Sequence, residues 1–110
     1  MDLVKLVYDL TDKFPREELF GLTQQIRKAV VAVPSNIAEG QGRNSTKEFI
    51  YHLSVAYGSL METETQNLIA EMRKYITGDE SNSVMEKSAE VGRLVNGLSN
   101  SPVKKLSSDH

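Results

Sequence analysis

The sequence predicts an all-α protein that folds as an antiparallel up-down-up-down four-helix bundle. Apolar residues recur at spacings of three and four in four segments of the 110-residue chain, as in helices that each bury one face. The breaks between these segments are short and rich in proline, glycine and serine, so consecutive helices should be antiparallel neighbours. The run AVVAV at 29–33 is a rival strand signal, but the sequence offers no second strand to pair with it.

The first helix is expected to begin at Leu3 and to end before Pro15, because proline disfavours helical angles at the residue that precedes it. Its apolar stripe consists of Leu3, Leu6, Val7, Leu10 and Phe14. Pro15 should then open the second helix, with Glu17 and Glu18 in the first turn, where negative charge is favourable.

The second helix has an apolar stripe that keeps its phase on both sides of Pro34. The stripe consists of Leu19, Leu22, Ile26, Val30, Val33 and Ile37. We therefore predict one helix, kinked where Pro34 removes a backbone hydrogen bond. Ser35 and Asn36 are expected to satisfy carbonyls freed by the kink or to cross to the third helix near Phe49. Gly40 or Gly42 should end the helix in the left-handed conformation of a C-terminal cap.

Two motifs of the capping-box form predict the starts of the third and fourth helices. They are STKE, from Ser45 to Glu48, and SVME, from Ser83 to Glu86. The third helix should span about 28 residues, or ~42 Å at 1.5 Å per residue. Its stripe consists of Phe49, Leu53, Ala56, Tyr57, Leu60, Leu68, Met72 and Ile76, and that of the fourth helix of Val84, Ser88, Val91, Val95 and Leu98.

Residues 1–100 are predicted to form a single four-helix-bundle domain. Residues 101–110, SPVKKLSSDH, should be a flexible tail because they have almost nothing to bury. The first helix, about 12 residues or ~18 Å long, is less than half as long as the third, so part of the third helix should lie uncovered. A longer N-terminal segment or another subunit is expected to cover it, as contiguous apolar surface usually implies.

The composition excludes several classes of function. The chain has no cysteine, which rules out disulfides and thiolate sites and fits a reducing cytoplasm. It has no apolar run of the ~20 residues that cross a bilayer, so we expect a cytoplasmic protein with no membrane partner. Its 13 basic and 15 acidic residues give a net charge of −2, so any nucleic-acid binding requires a local basic patch.

No residue pattern points to catalysis, a cofactor or a small-molecule substrate. The glycines of AEGQGRNSTK lack the preceding strand and the lysine-serine order of a phosphate-binding loop. His52 and His110 are too few for a metal site. Glu64 falls on the third apolar stripe and should be a buried or interface carboxylate, paired with Arg27 or with Thr23 or Gln24 on the second helix. A role for Glu64 as a general acid is the less favoured alternative.

The candidate nucleic-acid residues lie at one end of the predicted bundle. They are Arg43, Lys47, Lys104 and Lys105. A solvated helix end is the simpler interpretation for one subunit, whereas in a ring of subunits the same charges would repeat and their fields would add. The tyrosines are scattered along the sequence, so base-specific recognition has little support.

The segment from Phe14 to about Ile76 resembles the four-helix-bundle family of 23S rRNA intervening-sequence proteins. The family pattern is present as FPREELFGL, PSNIAEG, KEF and GSLMETET, and EVGRLVNGL at 90–98 is similar to the family's last helix. These motifs mark seven residues as structural, namely Pro34, Ser35, Asn36, Glu39, Gly40, Gly58 and Glu64. The family usually has a longer first helix than this chain.

The resemblance implies a small cytosolic bacterial protein that is not an enzyme and that assembles into a homopentamer. A relative of the same shape is the accessory protein of diversity-generating retroelements, in which a basic surface is thought to bind nucleic acid. One hypothesis is therefore an oligomer that binds ribosomal or other RNA through the Arg43 and Lys47 end. The alternative is a protein-protein scaffold or accessory module with no nucleic-acid role.

Overall fold

The computed structural model describes residues 1–100, and within them it contains four α-helices and no strand. The helices are α1 (Asp2–Thr11), α2 (Leu22–Gln41), α3 (Thr46–Met72) and α4 (Gly78–Ser99), with a 3₁₀ turn at Arg16–Glu18 between α1 and α2. The all-α four-helix prediction is confirmed. The predicted tail, 101–110, lies outside the described residues, and Lys104 and Lys105 lie outside them too.

Neighbouring helices run antiparallel, as the contacts between α3 and α4 demonstrate. Residue numbers that rise along α3 meet residue numbers that fall along α4, in the pairs Leu60–Gly92, Glu64–Ser88 and Asn67–Ser81. The last turn of α2 meets the first turns of α3 in the same sense, because Gly40 lies against Phe49 and His52. These pairings are those expected of the predicted up-down-up-down order.

The core divides into two clusters along the length of the bundle. The main cluster receives Leu3, Val7 and Leu10 from α1 and side chains from all three other helices. The smaller cluster, built on Phe49, Leu53 and Val95, receives none from α1. α1 has 10 residues and α3 has 27, and the smaller cluster takes its side chains from α2, α3 and α4. The predicted mismatch between the first and third helices is confirmed.

The predicted stripe of α3 is correct in the first half of the helix, apart from the exposed Tyr57, and wrong in the second. Leu53, Ala56 and Leu60 are buried, but Leu68 and Met72 are exposed. Three of the four buried positions after Leu60 are instead polar, namely Thr63, Gln66 and Asn67, and the fourth is Ala70. The pattern of apolar residues therefore indicated the wrong buried face for this half of α3, because polar side chains that form hydrogen bonds can occupy buried positions.

The segment after Pro15 does not open α2, so the predicted helix start at this proline is wrong. Pro15 precedes the 3₁₀ turn, and α2 begins seven residues later at Leu22. The Glu18 carboxylate accepts a hydrogen bond from the Leu22 N–H at 3.1 Å, which satisfies one of the donors at the start of α2. Leu19, which was assigned to the buried stripe of α2, is consequently exposed in the connection.

The connection between α3 and α4 is shorter than the sequence suggested. Lys74 has a φ of 63°, and the N–H groups of Lys74 and Tyr75 donate to the carbonyls of Glu71 and Ala70, both at 2.9 Å. This is the Schellman arrangement, with a lysine where glycine is usual. The left-handed residue ends α3 at Met72 and lets the chain turn within five residues into α4.

The start of α4 lies six residues before the predicted capping box. Thr77 and Glu80 form the box instead: the Thr77 hydroxyl accepts from the Glu80 N–H, and the Glu80 carboxylate accepts from the Thr77 N–H. Ser83 is inside the helix, where its hydroxyl donates to the Asp79 carbonyl. The prediction for α3 fares better, because the Ser45 hydroxyl accepts from the Glu48 N–H at 3.1 Å.

Candidate nucleic-acid interface and exposed faces

Gly40 is a packing residue, and the prediction of a left-handed glycine cap is wrong. No glycine in residues 1–100 has a positive φ, and Gly42, the C-terminal cap of α2, has a right-handed conformation (φ −80°, ψ −6°). Gly40 is buried, and a Cβ on it would lie 2.9 Å from the Cβ of His52 and 3.1 Å from a ring carbon of Phe49. The glycine therefore permits α2 and α3 to approach closely at this end of the bundle.

α2 continues through Pro34, as predicted, and Asn36 links it to α3. The Asn36 side chain donates through Nδ2 to the Ala32 carbonyl at 2.8 Å, one helical turn back. Its Oδ1 lies 3.2 Å from Nδ1 of His52, which consequently donates the proton. Asn36 thus confirms the predicted crossing to α3, whereas the carbonyl that it binds is that of Ala32 and not that of Val30, which Pro34 deprives of its donor. Ser35 is exposed.

The basic residues at this end of the bundle are exposed, but one of them is paired. Arg43 donates to the Glu39 carboxylate at 2.5 Å, one turn earlier in the chain, and both side chains are about half exposed. Lys47 is exposed on the first turn of α3 and makes no ion pair within residues 1–100. An exposed ion pair contributes ~0–1 kcal/mol, so the contact with Glu39 holds Arg43 only weakly.

Glu64 is half-buried, and its partner differs from the one predicted. The Ser88 hydroxyl of α4 donates to Glu64 Oε2 at 2.5 Å. Arg27 instead binds α1 and the residue after it, through Nε to the Thr11 hydroxyl at 2.7 Å and through Nη2 to Asp12 at 2.9 Å. The Glu64 carboxylate points towards α4 because the side of α3 that carries it packs against α4 and not against α2. The hydrogen bond therefore links α3 to α4 within the bundle.

A buried polar contact between α3 and α4 was not predicted. Asn67, fully buried, donates to both the carbonyl and the hydroxyl of Ser81, at 3.2 and 3.0 Å. Gln66, one residue earlier, is buried, and its Oε1 has no hydrogen-bond partner within residues 1–100. The sequence signal for this contact is the capping-box pattern at Thr77 and Glu80. A helix that begins there places Ser81 in its first turns, opposite the end of α3.

α3 carries an exposed apolar stripe along its whole length. Its members are Ile50, Tyr57, Met61, Leu68 and Met72, of which Met61 is half-buried. At 3.6 residues per turn these positions lie within about 60° of one another around the helix. Met72 is 72% exposed and Leu68 50% exposed. Gly58 borders this α3 stripe, and no atom of residues 1–100 lies within 4 Å of where its Cβ would be, so the packing of those residues does not require a glycine there.

A second open surface is a groove between α1 and the start of α2, with a volume of about 550 Å³. Its lining consists of Tyr8, Leu19, Phe20, Thr23, Gln24, Arg27, Lys28 and Val31, and includes no carboxylate. The Phe20 side chain is 85% exposed. The Arg27 guanidinium lies over the Tyr8 ring, 4.8 Å from its centroid. We call this surface the α1–α2 groove. The sequence does not reveal it, because Tyr8 lies on α1 and Phe20 lies in the connection before α2.

Glu18 and Glu80, at the opposite end of the bundle from Arg43, have lowered pKa values. The Leu22 N–H and then the Tyr75 hydroxyl hold the pKa of Glu18 below its ordinary value by hydrogen bonding to the carboxylate. The pKa of Glu80 is also lowered, first by its bond from the Lys13 ammonium and then by the Thr77 N–H. These groups tie the turns together and serve as structural contacts.

Neither a metal cluster nor a membrane span is found in the part of the chain that the structure describes. Residues 1–100 bring no three histidine, aspartate or glutamate side chains close enough to hold a metal ion. No helix among them is both long and apolar enough to cross a bilayer.

Comparison with known proteins identifies the fold and the family. The family model described as 23S rRNA-intervening sequence protein matches residues 1–97. A crystal structure from Bacteroides thetaiotaomicron, of a protein with unknown function from the S23 ribosomal protein family, is similar at 23% identity and a TM-score of 0.81. That similarity covers 89% of this chain and 92% of the other. Comparison with curated proteins finds no match.

Proposed function

Because this chain belongs to the 23S rRNA-intervening sequence protein family, we propose that it is a non-enzymatic cytoplasmic protein that self-associates and binds RNA. The assembly is a homopentamer, as the resemblance implies, and its RNA-binding residues are Arg43 and Lys47. The observation that carries the proposal is the α3 stripe, because monomeric soluble proteins rarely leave a long contiguous apolar surface uncovered.

Gly58 supports a helix contact at the α3 stripe. A glycine inside an exposed helix costs ~1 kcal/mol relative to alanine, and no contact with the described part of the chain offsets that cost. Close approach of a neighbouring subunit would account for it. Self-association also explains how a protein with a net charge of −2 could bind RNA, since a ring repeats Arg43 and Lys47 on one face.

Self-association is tested by the native mass of paired charge variants. Leu68→Glu places a charge in the α3 stripe, and Leu94→Glu places one at a similarly exposed leucine on α4. We expect Leu68→Glu to lower the native mass and Leu94→Glu to leave it unchanged. A wild-type chain that is monomeric would contradict the proposal, and would favour a scaffold that docks a different protein on the same stripe.

RNA binding is tested by retention of labelled single-stranded RNA across a salt series. The Arg43→Glu and Lys47→Glu double variant should bind more weakly than the wild type, and affinity of the wild type should fall as salt rises because phosphate contacts release counterions. Arg93→Glu, which reverses an exposed charge on α4, is the matched control. Absence of binding at low salt, or equal losses in the control, would contradict the RNA-binding role while leaving self-association intact.

A further inference from the structure

We propose that the α1–α2 groove is a second nucleic-acid site, at which a base of a single-stranded RNA or DNA stacks on Phe20 while Arg27 and Lys28 meet its phosphates. The site is additional to Arg43 and Lys47 and does not depend on them. The inference starts from three features that the groove brings together, namely exposed rings, cations and an amide; its lining includes no carboxylate, and Asp12 beside it pairs with Arg27.

Phe20 is the principal stacking residue because its ring is accessible and the turn that carries it is ordered. It is the most exposed of the large apolar side chains in residues 1–100, at 85%. The backbone that carries it is closed into a turn by two bonds to Glu18, from Leu22 N–H to the carboxylate and from Gly21 N–H to the carbonyl. A backbone that is already ordered loses little conformational entropy when a base stacks on its side chain.

Arg27 adds a second stacking surface beside Phe20. Its guanidinium already lies over the ring of Tyr8, and its Nε and Nη2 atoms are held by Thr11 and Asp12. These contacts orient the guanidinium plane and leave Nη1 for a phosphate oxygen. Bases stack on arginine planes as they do on aromatic rings, so this arrangement suits a nucleotide.

Lys28 supplies an unneutralised positive charge at the groove. It is exposed and makes no ion pair within residues 1–100. Gln24, also exposed, offers both a donor and an acceptor to a base edge. Two cations reach at most two phosphates, so salt should weaken this site with a shallow slope of about −1.4 on a logarithmic plot.

A single-stranded nucleic acid explains this lining better than a protein helix does. A helix-docking groove needs apolar contact alone at its centre, and leucine serves there as well as phenylalanine does. Here the most exposed apolar side chain of the lining, that of Phe20, is an aromatic ring, and the lining also contains two cations and an amide. Base stacking requires the ring, so the two partners respond differently to Phe20→Leu.

The test is fluorescence anisotropy with labelled oligo-U RNA and oligo-T DNA of about ten nucleotides, the length range that single-strand sites cover. The full chain is used at low salt. Phe20→Leu and Phe20→Ala should each weaken binding about 5- to 150-fold, the range that loss of one stacked base produces. Lys28→Gln should make the salt slope shallower by about 0.7. Leu94→Ala, which removes an exposed apolar side chain on α4, should bind as the wild type does.

Each outcome decides between the two sites. If Phe20→Leu binds normally and the Arg43→Glu and Lys47→Glu double variant does not, the inference is overturned and the proposed RNA role stands. If Phe20→Leu loses binding and the double variant retains it, the groove is the site and the other end is not. If the wild type binds neither the RNA nor the DNA oligonucleotide, the proposed RNA role and the groove site are both overturned. A changed native mass of Phe20→Leu would assign the groove to a contact between copies and overturn the inference.

Discussion

Gly40 of α2 lies against His52 of α3 so closely that a methyl group on the glycine would be 2.9 Å from the histidine Cβ. The two helices therefore meet at their backbones where the chain turns from one to the other. The Asn36 side chain crosses this contact one turn away and holds the His52 ring at 3.2 Å. The conformation of the turn that carries Arg43 depends on this packing, because Gly40 and Arg43 belong to the same helix end.

Gly40→Ala should destabilise the protein by about 1–3 kcal/mol, the usual cost of overpacking a close contact. The loss opposes the helix propensity of alanine, which favours the substitution by ~1 kcal/mol. Gly97→Ala is the matched control because no atom lies within 4 Å of the Gly97 Cβ position, and it should raise stability. Urea unfolding at one fixed protein concentration measures both variants. Equal stabilisation of the two would contradict the close contact.

Asn67→Ala should cost about 1–3 kcal/mol of unfolding free energy, because it leaves buried polar atoms of Ser81 without their donor. Ser81→Ala should cost less, since the carbonyl of residue 81 remains to accept from Asn67. The order of the two losses is the informative result. A larger loss in Ser81→Ala would show that the hydroxyl, rather than the carbonyl, holds the end of α3 to α4.

Glu18 should make stability depend on pH in the acidic range. Its folded-state pKa is lowered, first by the Leu22 N–H and then by the Tyr75 hydroxyl. The unfolded chain therefore binds the proton more readily, so Glu18 stabilises the fold above the ordinary glutamate pKa and loses this effect as pH falls through the folded-state value. Glu18→Gln should shrink the difference in melting temperature between neutral and acidic pH.

The control for Glu18 is Glu17→Gln, which removes an exposed carboxylate from the same turn without touching Leu22 or Tyr75. Thermal melts of both variants over a pH series make the comparison. If Glu18→Gln retained the full acid sensitivity of the wild type, the carboxylate would not be the cap of α2.

Gly58→Gln should lower the native mass while leaving the chain folded. The substitution introduces a better helix former into open space, so the single bundle tolerates it. Under the proposed function the added side chain separates α3 from the neighbouring subunit. Gly97→Gln makes the same change on α4 and should keep the wild-type mass. Sedimentation velocity on the two variants, with circular dichroism to verify helicity, distinguishes them.

The sequence predicted the number of helices and most of the core, because apolar spacing reports the buried face wherever that face is apolar. It failed in the second half of α3, where Thr63 and Asn67 take core positions and Leu68 and Met72 lie outside. It also misplaced the start of α4, since Ser83 and Glu86 match the capping-box pattern as well as Thr77 and Glu80 do. A local motif cannot rank two such matches without the tertiary contact at Ser81.

The candidate site was less predictable than the fold. The sequence located Arg43 and Lys47 at one end, but the neutralising contact from Glu39 depends on side-chain conformation. The α1–α2 groove was invisible because Tyr8 and Arg27 are 19 positions apart and meet only when α1 packs on α2. Exposure of Phe20 was hidden too, since the pattern around Pro15 suggested a continuous helix there.

The native mass of the wild-type chain tests the central proposal most directly. Sedimentation equilibrium over a range of protein concentrations should give a multiple of the 12.3 kDa chain mass, with the homopentamer as the expected species. Because the α3 stripe drives the association, the mass should fall on dilution. A species of 12.3 kDa at every concentration would contradict self-association and leave the α3 stripe without the partner we propose for it.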